Sequence, residues 1–135
     1  MIDTEHILKD AGLVAADAAG QVDSSNVIVD LGEGLVEGHL TIDVTAIEIA
    51  DNDEVYKISL QGSSKSDFAD TFEDLAILEL GANEVLGGDQ DSTVGRYQVP
   101  FRTERNGTIY PYVRVYCDVS GTIATGINYS AYIGK

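Results

Sequence analysis

Alternation of apolar and polar side chains is the plainest signal in this chain, and it is clearest over residues 109–133. Val113, Val115, Cys117 and Val119 alternate with Arg114, Tyr116, Asp118 and Ser120, the period of two expected of a strand that buries one face. Ile127, Tyr129, Ala131 and Ile133 alternate with Asn128, Ser130 and Tyr132 in the same way. Between the two runs, Gly121 and Gly126 can take the positive φ that a reversing chain needs. The expectation is an antiparallel hairpin with a long connection, which needs further strands to cover its apolar face.

The same pattern runs upstream. Val27 to Leu31 is a compact apolar run, followed by Gly32, Gly34 and Gly38. Leu40, Ile42 and Val44 alternate with Thr41, Asp43 and Thr45, and Ile47 and Ile49 then fall out of phase, which predicts a bulge or a change of sheet. Asp51 to Glu54 reads as a turn, and Val55 to Gln61 as a strand with Tyr56, Ile58 and Leu60 on one face. After a polar loop holding Phe68 and Phe72, Leu75 to Leu80 is a strand, and a second loop spans Asn83 to Thr93. Pro100 within Arg96 to Arg102 places that strand at an edge, and Asn106-Gly107 is a turn signal. About eight short strands with Gly/Asp/Asn connections predict an all-β fold, a jelly-roll-like β-sandwich or barrel.

Residues 1–22 differ. Ile7, Leu8, Ala11, Leu13 and Val14 have loosely helical spacing, interrupted by Gly12 and Gly20, so a short arm or helix is expected there. It either packs on its own domain or is donated to a neighbour. The division expected is an N-terminal arm, 1–22, and a single β domain, 23–135.

Charge changes the functional picture more than size does. Eight Lys+Arg against 23 Asp+Glu give a formal net charge of −15, a field that repels nucleic acid and anionic lipid alike. No apolar run approaches the ~20 residues of a membrane span. Residues 1–6 lack the basic and apolar pattern of a signal peptide, so a cytosolic product is expected. Cys117, the one cysteine, lies on the inward parity of its strand and reads as a buried hydrophobe.

Reactive constellations are few. His6 and His39 do not fall in zinc spacing. Asp51 to Glu54 and Asp89 to Thr93 place oxygens at alternate positions, as calcium loops do, but lack the glycine and glutamate of an EF-hand and read first as turns. No nucleophile elbow or phosphate cradle is present, and no carboxylate pair stands out. The chain is therefore expected to be neither an enzyme nor a cofactor protein. Tyr116 and Tyr132 have outward parity, suited to cross-strand pairing or to a contact surface for protein or sugar.

Leu60 to Ser64, Tyr112 to Gly126 and Ser130 to Lys135, with the apolar N-terminal segment and Phe68 in its loop, together resemble the small capsid cement (decoration) proteins of tailed bacteriophages, the Bordetella-phage cement-protein family in particular. The likeness runs over most of residues 1–135 and rests on scaffold motifs. It implies a jelly-roll-like fold, assembly as a homotrimer on the outer surface of the virion after synthesis in the host cytoplasm, and binding to the phage major capsid protein. Ile2, Ile7, Leu8, Leu13 and Val14, and with them Phe68 and Phe72, are the expected capsid or subunit contacts. The rival expectation is a carbohydrate-binding β-sandwich module, calcium-dependent or not, using exposed tyrosines and acidic loops.

Overall fold

The computed structural model describes residues 6–69, 72–87 and 90–134. Eight strands build two facing antiparallel sheets: β1 (His6–Lys9), β2 (Ala18–Ala19), β3 (Glu37–Ile47), β4 (Val55–Ser63), β5 (Phe72–Gly81), β6 (Gly95–Arg102), β7 (Tyr112–Ser120) and β8 (Ile127–Gly134). The order is β1-β8-β3-β6 in one sheet and β2-β7-β4-β5 in the other. First strand pairs with last, second with seventh, third with sixth and fourth with fifth. A long antiparallel ladder is thus rolled up on itself, which is the jelly roll. Leu13–Val14 adds to β8, and Val29–Asp30 to β7, at the sheet margins.

That topology corrects the expected C-terminal hairpin. β7 and β8 have the predicted inward faces, but they lie in opposite sheets, so the segment between them crosses the sandwich and reverses nothing within a sheet. Tyr116 and Tyr132 consequently sit on opposite outer faces and do not pair. Alternation sets which side of a strand is buried; it carries no information on which sheet the strand joins.

The core lies between the sheets. Leu40, Ile42, Ile127, Tyr129, Ala131 and Ile133 from one side meet Tyr56, Ile58, Leu60, Val113, Val115 and Cys117 from the other, all fully buried. The phase slip after Val44 is a bulge: Tyr129 pairs with Val44 and Asn128 with Ala46, leaving Thr45 as the extra residue. A second bulge at Leu75 turns Leu75 and Ala76 both inward. Pro100 sits in β6, the sheet edge, opposite His39. Asn106 and Gly107 take φ of 55° and 83°, closing the small hairpin of Glu104–Arg105 with Thr108–Ile109.

Among the described residues the N-terminal segment is not a helix. From His6 onward it is extended and belongs to both sheets, β1 to one and β2 to the other. A bulge between Ile7 and Lys9 turns Leu8 and Lys9 both inward, so Leu8 enters the core and the segment is part of the domain. Gly20 is required there, because a side chain would strike Val115 and the Leu8 carbonyl. Among the described residues the one short helix, α1 (Asn83–Leu86), lies in the loop after β5.

Candidate functional site

Three regions bear on function, and each is built by a different use of charge. In the first, the edge of the β1 sheet, Lys9 is 6% exposed. Its Nζ donates to the carbonyls of Tyr129 (2.7 Å), Asp10 (2.9 Å) and Gly12 (3.0 Å), and lies 4.3 Å from the Tyr129 ring centre. Burial lowers the pKa of this ammonium, while three oxygens and a ring face hold it. Lys9 therefore staples residues 9–12 to β8. Leu8 and Val14 face the core, while Ile7 and Leu13 stand 55% and 60% exposed on the outside. A cleft of 630 Å³ runs beside Leu13, lined by residues between Lys9 and Ser24.

The second region is the acidic end. Carboxylate oxygens of Glu48, Asp51 and Glu54 lie within 4.8 Å of one another, the arrangement that a cation could draw together. Two of the three are engaged in turn-holding bonds instead. Glu48 accepts N–H bonds from Ala124, Thr125 and Gly126, and Glu54 accepts them from Asp51 and Asp53. Asp53 accepts from the Thr122 N–H and hydroxyl at 3.0 and 2.8 Å. These bonds hold the Glu48 and Asp53 carboxyls below their ordinary pKa. The acids pin the crossover between β7 and β8 to the turn before β4. In the other acidic loop Asp91 caps the Asn83 N–H, and Asp89 lies outside the described residues.

The third region is the outer face of the β7 sheet. Register places Arg114 beside Gln61 and Tyr116 beside Ser59. The loop after β4 folds back over this face, with Phe68 at φ 54° and only 8% exposed, and Phe72 at 44%. The two rings lie 6.2 Å apart. The Arg114 guanidinium stacks over Phe68 at 4.4 Å, Tyr116 at 5.2 Å and Phe72 at 5.4 Å, and its Nε donates to Gln61 Oε1 at 2.9 Å. Burial lowers its pKa as well.

The expected contact residues thus divide. Ile7 and Leu13 share an outer face of the β1 sheet, Phe72 lies on the opposite sheet, and Leu8, Val14 and Phe68 are buried in or on their own domain. Ile2 lies outside the described residues. Arg114 and Gln61 were not among the expected contacts, and only the pairing of β4 with β7 brings them together. Cys117 is buried among apolar neighbours, and its thiol is pushed up to about 12 by that burial.

No protein-family model matches the sequence, and no curated protein matches it. Among solved structures, the chain is similar to the N-terminal CBM22-1–GH10 modules of Clostridium thermocellum endo-1,4-beta-D-xylanase 10B in complex with xylohexaose. The likeness has a TM-score of 0.42 at 11% identity and covers 97% of this chain. This chain spans about a quarter (26%) of that one's length.

Proposed function

We propose that this chain is a structural virion protein. It decorates the outer surface of a tailed-phage capsid as a homotrimer, binds the major capsid protein and thereby stabilises the shell. What supports the reading, beside the sequence resemblance, is the division of labour in the N-terminal segment. Leu8, Val14 and Lys9 anchor it rigidly, and the same few residues hold Ile7 and Leu13 out into solvent. Fixed, exposed apolar side chains cost little further entropy when a partner covers them. The acidic charge of −15 keeps such a protein off packaged nucleic acid.

The mechanism is mass action. A protein that binds the expanded shell and not the open one adds its binding free energy to the expanded state, and repetition across a symmetric lattice multiplies the effect.

The test is cosedimentation of purified protein with expanded capsids of the phage that encodes it, with light scattering to read the trimer. Deleting residues 1–20 would remove Leu8 and Val14 from the core and test folding instead. Ile7→Ser with Leu13→Ser is the informative variant. It is expected to keep a cooperative melt and lose most capsid occupancy. Full occupancy by the variant, or no cosedimentation of the unaltered protein, counts against the reading.

A further inference from the structure

Arg114 is out of place in so acidic a chain. Lys57, Arg96 and Arg102 each face a carboxylate, at 3.2, 2.8 and 3.6 Å, while Lys9 and Arg105 donate to backbone carbonyls. Arg114 instead donates its Nε to a neutral amide and presses its plane on three rings. Among the described residues no carboxylate bonds to it, and its two Nη groups have no acceptor.

A guanidinium fixed by stacking and by one Nε bond is already oriented. The edge left over is the planar fork that meets both oxygens of a carboxylate. Partial burial weakens the competition from water at that edge. Around it the same face exposes Phe72 and Ile77, the latter 46% accessible.

We propose that the outer face of the β7 sheet is a second protein-docking site, in which Arg114 receives a single Asp or Glu side chain of the partner, flanked by apolar side chains that cover Phe72 and Ile77. Charge complementarity names the anion. The neighbouring apolar surface, with an Arg–Tyr–Phe cluster of the kind that anchors protein interfaces, favours a polypeptide over an acidic sugar. The partner surface must be neutral or basic around that one acid, since the field of −15 repels an acidic one. The proposal rests on the reading of the chain as a capsid-binding protein only for the partner's identity; the site itself does not depend on it.

The test uses the full chain labelled with ¹⁵N. N-acetyl-Leu-Glu-Leu-amide is titrated against its Leu-Gln-Leu counterpart, with sodium glucuronate in a parallel series at constant ionic strength. The Arg114 side-chain N–H signals are expected to shift saturably with the Glu peptide. The Gln peptide should bind about tenfold more weakly, the difference between a charge-assisted and a neutral bond. Arg114→Lys keeps the charge, loses the fork, and is expected to lose most of the preference.

Equal affinity for the two peptides, or shifts that avoid Arg114 and Phe72, overturns the proposal. Glucuronate binding more tightly than the Glu peptide overturns the choice of a protein partner. Failure of the unaltered chain to cosediment with capsids sinks the virion reading alone, because the peptide titration is read on the isolated chain.

Discussion

Lys9 and Arg114 are both cations resting on aromatic rings, and they are put to opposite uses. At the β1 edge the ammonium has three carbonyl oxygens and a tyrosine face, and nothing of it is left over for a partner. On the outer face of the β7 sheet the guanidinium has one amide and three rings, and its fork is unspent. The lesson is that a charge is read by what already satisfies it. By that measure Lys9 is scaffold for the edge that holds out Ile7 and Leu13, while Arg114 is itself open to a contact, although both look alike as residues in a strand pattern.

Breaking the contrast should begin with Lys9→Met. Three carbonyls lose a charged donor, that of Tyr129 in the buried interior, and a loss of about 2–3 kcal/mol in urea unfolding is expected. A change below about 0.5 kcal/mol would mean that the ammonium is ornamental.

Next comes the acidic clamp. The folded carboxyls of Glu48 and Asp53 have pKa values held below 4.5 and 3.8. Their contribution is present above those ordinary values and is lost as pH falls through the lowered folded ones. The melting temperature should therefore hold between about pH 7 and 5 and fall below about pH 4. Glu48→Gln should melt lower near neutrality and close on the unaltered protein in acid. A constant gap at every pH would show that the carboxylate charge is not what matters.

Smallest of all should be Arg114→Met. If the fork is reserved for a partner, folding loses the stacking on the rings and the single Gln61 bond, about 1–1.5 kcal/mol in the same urea assay. A loss as large as that of Lys9→Met would make Arg114 scaffold too.

Much of the fold could be read from the chain because burial imposes a period of two. Leu40 to Val44, Tyr56 to Leu60, Val113 to Cys117 and Ile127 to Ile133 all face as their alternation says, and the slip after Val44 marks a real bulge. What could not be read was long range. Consecutive strands leave their neighbours for the opposite sheet everywhere but at β4 and β5, so β7 and β8 looked like a hairpin. The N-terminal run looked helical because Leu8 and Lys9 both turn inward at a bulge, which spoils the alternation of a strand. The Arg114 corner left no local trace at all. Gln61 lies 53 residues away, and Phe68 reaches it only through a loop whose φ of 54° places the ring over the sheet. Outward parity at Arg114 could have flagged a surface cation, but not the absence of an acid beside it.

The rolled ladder also decides when the molecule can come into being. β8 is an interior strand, with β1 on one side and β3 on the other, so the earliest and middle parts of that sheet have no seam until residues 127–134 exist. Folding must therefore wait for synthesis to pass that point. Nearly every ladder contact then forms between distant parts of the chain, a topology that folds slowly. In the interval the partly made chain carries open strand edges, exposed to mispairing. Its many acidic side chains keep such intermediates apart, which gives the surplus of negative charge a role before any native surface exists.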